Sequence, residues 1–214
     1  MSIEKIIYTG VLSYIIIATN RTLEIAFKFN LYDTQRLGLT LVYLLSSVLT
    51  FISFYALCSY TDKSSVAGKL NLIAVFSIIP MLAFDCVNLL SYIIDNLNSL
   101  YTRGILFACA SSFSCILFTL FLYGIKKYKT SSSNSKIFNG LLISTSLLLV
   151  VTLIDSTITI ISGTYDPTSL IVYILKTVVF VFMVINYKHI VIELITIANN
   201  TVDSLDDDDE YFSI

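Results

Sequence analysis

Six long apolar stretches, separated by short polar segments, set the pattern of this chain. Each stretch is near the length at which about 20 apolar residues cross the hydrocarbon core of a bilayer as a helix. The pattern predicts an all-α, polytopic membrane protein with about six transmembrane helices, which form a single bundle over residues 1–200. The predicted spans cover about 6–29, 37–60, 70–94, 104–125, 137–163 and 169–187.

Two segments lie outside the predicted spans near the carboxyl end. Residues 188–200 are amphipathic and are expected to lie along the membrane interface. Residues 201–214 are rich in aspartate and are expected to form a disordered acidic tail, because such sequences cannot bury enough apolar surface to fold.

The composition agrees with a chain embedded in lipid. Of the 214 residues, 56% are hydrophobic and 13% are charged, whereas a soluble domain carries about 25% charged residues. The net charge is −2, and the lysines lie in several loops rather than in one patch. Nucleic-acid binding is therefore not expected, and the expected partners are membrane lipids and other membrane proteins.

The distribution of lysine and arginine predicts the orientation. With the amino terminus in the cytosol, Arg36 and Arg103 fall outside, while most of the lysines fall inside. Cytosolic loops of membrane proteins carry such an excess of basic residues, so both termini are predicted to be cytosolic. The lysines on the cytosolic side are Lys5, Lys63, Lys69, Lys126, Lys127, Lys129, Lys136 and Lys188.

Catalytic and metal-binding motifs are not found in the sequence. His189 is the single histidine, and the four cysteines form no Cys-x-x-Cys pair, so they are expected to behave as small hydrophobic residues. There is no Gly-x-Ser-x-Gly or His-Glu-x-x-His motif. The two aspartates within apolar stretches lack the glycine-rich context of an intramembrane protease. We expect no enzymatic activity, no cofactor and no metal.

Three charged residues interrupt the later apolar stretches. Asp85, with Asn88 about one helical turn on, lies in the third stretch, Asp155 in the fifth and Lys176 in the sixth. A charge at that depth costs about 3 kcal/mol or more unless it is paired, protonated or hydrated. Lys176 is expected to neutralise one aspartate. Two interpretations stay open, because these residues can hold helices together or line a proton or cation path.

The first apolar stretch ends in a group of charged residues. Arg21, Glu24 and Lys28 are spaced so that they share one helix face and can pair. One interpretation is an ion-pair cluster at the membrane interface. The other is that Glu24 points into the bundle as a functional carboxylate.

The chain ends in Tyr211-Phe212-Ser213-Ile214. A tyrosine three residues before a bulky apolar residue is the pattern of sorting signals read by clathrin adaptors. An extended peptide of this kind binds by strand addition, with Tyr211 and Ile214 in separate pockets. The pattern favours an endosomal, lysosomal or vacuolar membrane over the plasma membrane, the endoplasmic reticulum or the Golgi. Capture of the terminal carboxylate by a PDZ domain and a purely solubilising tail are the alternatives.

The third stretch also resembles a known family. Ile78-Ile79-Pro80, followed by Phe84-Asp85 and Asn88, is similar to the third span of the lysosome-associated protein transmembrane family, over about residues 55–95. That family has four spans and proline-rich Pro-Tyr tails, whereas this chain has six apolar stretches and two prolines. The resemblance implies an endolysosomal, non-enzymatic protein that binds other membrane proteins or lipids.

The sequence therefore predicts a non-enzymatic accessory, trafficking or regulatory component of the endomembrane system. The alternative function is a small transporter or a proton- or cation-coupled channel. In that alternative, Asp85, Asp155 and Lys176 are the functional residues within the membrane.

Overall fold

The computed structural model describes the backbone of residues 1–26, 33–93, 100–128, 135–162 and 170–209. Side chains are described for most of these residues, up to residue 200. In these ranges the chain forms six α-helices and no strand, and all six helices are long and apolar enough to cross a membrane. The prediction of an all-α chain with six such helices is confirmed. The helices are α1 (Ile3–Ala26), α2 (Asp33–Leu57), α3 (Val66–Ile93), α4 (Leu100–Tyr128), α5 (Ser135–Ser162) and α6 (Leu170–Asp209).

The six helices close into a ring. Each helix packs against the next one in the chain, and α6 returns to α1 and also contacts α3 and α4 across the ring. Neighbouring helices are antiparallel, since α2 meets α1 at Ser53 with Ile6 and, further toward the other end, at Tyr43 with Glu24. Consequently α1, α3 and α5 end, and α2, α4 and α6 begin, at one end of the bundle, which we call the Ala26 end.

The outside of the bundle is apolar. On α5, the side chains of Ile143, Leu147, Val150, Ile154 and Ile158 are all exposed, and their spacing of three or four residues puts them on one helix face. Serine, threonine, asparagine and several charged residues are buried inside. This distribution reverses that of a soluble protein and is typical of helices that associate within hydrocarbon.

Tyr187 joins α6 to α1 and α2 in the core. Its ring is fully buried and lies edge-on to Phe54, with 5.4 Å between the centroids. Ser53 donates its single hydroxyl hydrogen to the carbonyl of Ile6 at 2.7 Å, so the Tyr187 hydroxyl donates to Ser53 at 2.5 Å. Gly10 makes room for this arrangement, because a Cβ atom there would overlap the Tyr187 ring.

Helix α6 is longer than the sequence predicts. The expectation that residues 188–200 lie along the interface is wrong, because Ile190, Val191 and Leu194 are fully buried in the main core. No glycine or proline interrupts the sequence there, so the helix and its apolar face continue. The helix runs on to Asp209, whereas the sequence predicts a disordered tail from residue 201. Tyr211 and Ile214 lie outside the described residues.

The connection between α2 and α3 is held by local hydrogen bonds. The Ser65 hydroxyl accepts from the N–H of Gly68 at 3.0 Å, which makes Ser65 the amino-terminal cap of α3. The Asp62 carboxylate accepts from both the hydroxyl and the N–H of Ser64, and these bonds lower the pKa of Asp62 below its usual value. A side chain at Gly68 would overlap the Asp62 carbonyl, so the loop packs directly on the first turn of α3.

Candidate functional site

A cavity of about 150 Å³ lies inside the ring, and every one of the six helices contributes to its wall. At about 30 Å³ per water molecule, this volume holds about five waters or one small solute. Its wall carries three charged side chains, those of Arg21, Asp85 and Lys176. Hydroxyl groups supply most of the other polar lining: Ser46, Ser47, Thr50, Ser77, Ser111, Ser114, Thr145 and Thr152.

Asp85 reaches the cavity from α3. Its side chain is 6% exposed, and its Oδ2 accepts a hydrogen bond of 2.8 Å from Ser47 of α2. One helical turn further on, the Asn88 amide donates to the Thr40 hydroxyl of α2 at 3.3 Å. Both residues therefore join α3 to α2, but Asp85 is the one that lines the cavity.

Lys176 reaches the cavity from α6. It is 7% exposed, its Nζ donates to the Ser111 hydroxyl of α4 at 2.9 Å, and it lies 4.4 Å from the centroid of the Phe107 ring. The sequence predicts that Lys176 neutralises an aspartate. Its charge lies within electrostatic range of Asp85 and Asp155, yet among the described residues no direct salt bridge joins Lys176 to Asp85.

Asp155 occupies a different position from Asp85. It lies on α5, where its side chain is half-buried and makes interactions with its surroundings, but it is not one of the side chains that line the cavity. Thr152, one turn earlier on the same helix, does line it. Of the two aspartates that the sequence singles out, the structure places only Asp85 at the cavity.

Arg21 and Glu24 form a closed polar cluster near the Ala26 end. Arg21 Nη1 lies 2.9 Å from Glu24 Oε2, and the Tyr43 hydroxyl donates to the same oxygen at 2.8 Å. The guanidinium also lies over the rings of Tyr43 and Tyr173, at 4.5 and 4.9 Å from their centroids. Glu24 therefore points into the bundle, where its carboxylate is directly paired. Lys28, the third member of the predicted cluster, lies outside the described residues.

Two of the residues that line the cavity each have a buried polar atom without a hydrogen-bond partner in the described part of the chain. These atoms are Oγ1 of Thr152, which is 3% exposed, and Nε of Arg21. Buried polar groups in proteins are nearly always hydrogen-bonded. The Thr152 hydroxyl would reach water or a polar solute in the cavity after rotation of its side chain.

Pro80 lies in α3 beside the cavity wall, and the helix continues through it. A proline within a helix removes one backbone hydrogen bond and disturbs the preceding turn. In that turn the carbonyl of Ser77 accepts a bond of 2.5 Å from the Ser114 hydroxyl of α4. Helix α4 thus supplies a hydrogen bond to one backbone carbonyl in the turn that precedes the proline.

The cysteines differ in their surroundings. Cys86 and Cys109 are exposed on the outside of the bundle, Cys58 is partly buried, and Cys115 is partly buried where it lines the cavity. Over the ranges that the structure describes, no three His, Cys, Asp or Glu side chains come together as a group that could hold a metal ion.

Comparison with protein-family models, with curated proteins and with solved structures finds no match for this chain. The resemblance to the lysosome-associated protein transmembrane family therefore stays a prediction. The fold and the site define the class of the molecule by themselves. It is an all-α bundle of helices long enough to span a membrane, with a charged, hydroxyl-lined cavity in its interior.

Proposed function

We propose that this protein is an integral membrane protein that spans the bilayer six times and acts there as a small transporter or ion-coupled channel. The apolar outer surface and the length of the six helices support the membrane location. The excess of lysine on one side supports cytosolic termini. In that orientation the Ala26 end faces away from the cytosol.

The observation that carries the transport function is the placement of Asp85 and Lys176. They enter one cavity from α3 and α6, which contact each other across the ring. At 1.5 Å per residue, Asp85 lies about 12 Å from the end of α3, and Lys176 about 9 Å from the start of α6. Charges at such depth in a membrane protein line a cavity or pair with each other, and they mark substrate and ion pathways.

A purely structural role explains Arg21 and Glu24 better than it explains Asp85 and Lys176. The first two residues meet directly and share Tyr43. An ammonium group has three hydrogens to donate, and the described structure shows one bond, to Ser111. The ammonium also lies over the Phe107 ring, and its remaining hydrogen-bonding capacity is available to water or solute in the cavity.

Proteoliposomes test this proposal through Asp85→Asn and Lys176→Met. We expect both variants to accumulate in the membrane like the parent protein and to lose the flux or current that a pH gradient drives in the parent. Lys127→Met, which removes an exposed charge at the end of α4, is the matched control and should keep that flux. If Asp85→Asn and Lys176→Met instead fail to accumulate in the membrane, while Lys127→Met accumulates normally, the two charges are structural and the proposal fails.

The accessory or trafficking role in endosomes, lysosomes or a vacuole is the second candidate function. Its support is the terminal pattern of Tyr211 and Ile214, which would engage a clathrin adaptor. Microscopy of an amino-terminally tagged Tyr211→Ala, Ile214→Ala protein tests it. Redistribution to the cell surface supports the signal, and an unchanged location contradicts it. A transporter of an endolysosomal membrane would carry both features, so the two candidates are compatible.

A further inference from the structure

The cavity has two chemically different walls, and this difference indicates what it binds. Helices α2 and α3 supply Ser47 and the carboxylate of Asp85, whereas α4, α5 and α6 supply Ser111, Thr152 and the ammonium of Lys176. The inference drawn from this arrangement rests on the proposed function and specifies its substrate class.

The Lys176 wall is suited to an anionic group. Lys176 donates one of its three ammonium hydrogens to Ser111. Thr152 also lines the cavity, and its hydroxyl has no hydrogen-bond partner in the described structure, so rotation of this side chain would bring an unused donor to the cavity. Both side chains are more than nine-tenths buried. A carboxylate between them would accept one charge-assisted bond from the ammonium and a second from the hydroxyl, and bonds of this type are among the strong ones.

The Asp85 wall is suited to an ammonium group. An ionised carboxylate accepts at about four lone-pair positions, and the bond that the structure shows to Asp85 comes from Ser47. A primary ammonium would donate to the carboxylate and to the neighbouring hydroxyl oxygens of the wall. Apolar side chains such as Ile78 and Phe180 also line the cavity and leave room for a small aliphatic part.

We propose that the cavity binds a small zwitterion of the amino-acid type, with its carboxylate at Lys176 and Thr152 and its ammonium at Asp85. The charge balance favours a zwitterion over a simple ion, because Arg21 is paired with Glu24 and the charges of Asp85 and Lys176 are equal and opposite. A lone anion at Lys176 would leave the charge of Asp85 without a counter-charge and would be repelled by it. A lone cation at Asp85 would be repelled by Lys176 in the same way. The volume of about 150 Å³ limits the ligand to a few heavy atoms beyond its charged groups.

Thermal unfolding of the purified full-length protein tests this proposal with matched probes. Free alanine is compared with ethylamine, which lacks the carboxylate, and with propionate, which lacks the ammonium. Glycine, serine, β-alanine and γ-aminobutyrate vary the size of the zwitterion and its charge separation. A ligand that binds the folded state alone raises the melting temperature as its concentration rises. The chain contains no tryptophan, so a fluorescent fusion reports the remaining folded protein.

We expect at least one zwitterion to raise the melting temperature, and ethylamine and propionate to have no effect. Asp85→Asn and Lys176→Met should each lower the affinity for that zwitterion about tenfold to a hundredfold, which is the range for the loss of a hydrogen bond to a charged group. Thr152→Val keeps the shape of the side chain and removes only the hydroxyl. The Thr152→Val variant should bind the zwitterion with lower affinity. The melting temperature of the unliganded variant should stay that of the parent protein, since the Thr152 hydroxyl has no described hydrogen bond to lose.

Each other outcome overturns the proposal in a distinct way. Stabilisation by propionate alone would define an anion site, and stabilisation by ethylamine alone a cation site. A zwitterion that binds the Asp85→Asn and Lys176→Met variants as well as the parent protein would place the site elsewhere. If no probe stabilises the protein although Cys115 reacts with an aqueous thiol reagent, the zwitterion inference fails while the transporter proposal stands. If Cys115 is also unreactive, the transporter proposal fails with it.

Discussion

Lys176 and Asp85 face the same cavity from α6 and α3, and within the described residues no direct salt bridge joins them. Arg21 and Glu24, in the same bundle, meet at 2.9 Å. Opposite charges in a low-dielectric interior attract strongly, and water or a ligand in the cavity would stabilise two charges that the helices hold apart. Arg21 and Glu24 thus pair within α1, and their contacts with Tyr43 and Tyr173 tie this pair to α2 and α6. Asp85 and Lys176 stay available within the cavity.

The two pairs should differ in their effect on stability. Glu24→Gln leaves the buried guanidinium of Arg21 without its counter-charge and should lower the free energy of unfolding by about 3 kcal/mol. Asp85→Asn keeps an oxygen that accepts from Ser47 and should lower the free energy of unfolding by less than Glu24→Gln does, because Asp85 has no direct salt bridge to lose among the described residues. Unfolding titrations in mixed micelles measure both values, with the exposed Glu4→Gln as the control. A larger loss for Asp85→Asn than for Glu24→Gln would contradict the distinction between the pairs.

A side chain at Gly10 should destabilise the bundle. A methyl group there overlaps the buried ring of Tyr187, and overpacking of this kind costs about 1–3 kcal/mol, so Gly10→Ala should lower the melting temperature. Gly38→Ala is the matched control, because a Cβ at Gly38 has no neighbouring atom within 4 Å. It should be neutral or stabilising by up to about 1 kcal/mol, since alanine favours helix. Equal losses in both variants would mean that α1 and α6 do not pack as described.

Acceptor sites for N-glycosylation test the proposed orientation. A tag inserted between Asp95 and Arg103 should be modified, because the Ala26 end, where α3 ends and α4 begins, is predicted to lie on the non-cytosolic side. A tag between Thr130 and Ser135 should stay unmodified, since the lysine-rich connection is predicted to be cytosolic. The reverse pattern of modification, read as a mass shift on a gel, would contradict the topology.

The helices and the charged residues were predictable from the sequence, while most of the cavity was not. Apolar stretches of span length mark helices by themselves, and Asp85 and Lys176 stand out because charges are rare in such stretches. Serine and threonine occur on any face of a membrane helix, so nothing in the sequence distinguishes the hydroxyls of Ser47 and Ser111 from those elsewhere. Which hydroxyl meets which charge depends on how the helices pack in three dimensions.

Contacts between distant parts of the chain were also outside the reach of sequence patterns. Tyr43 lies in the second apolar stretch, and nothing in its neighbourhood marks it as a partner of Glu24. Residues 188–200 look amphipathic in isolation, but their apolar face packs into the core, with Ile197 and Ala198 near Ala67 at the start of α3. An amphipathic pattern reports that one face is buried and does not distinguish a protein neighbour from a membrane surface.

The central claim is that water and small solutes reach the cavity inside the bundle, and Cys115 tests it most directly. Cys115 lines the cavity, whereas Cys109, on the same helix, is exposed on the outer apolar surface. Two single-cysteine variants are made, one with Cys115 and one with Cys109 as its only cysteine. Both are treated in membrane vesicles with a charged, membrane-impermeant methanethiosulfonate. Thiols react as thiolates, which form in water rather than in lipid.

We predict that Cys115 is modified in the folded protein and that Cys109 is not, although Cys109 lies nearer to the start of α4. Labelling after denaturation in detergent, which should reach both cysteines, provides the control for their intrinsic reactivity. Modification of Cys109 with protection of Cys115 would contradict the proposal of a water-filled transport cavity.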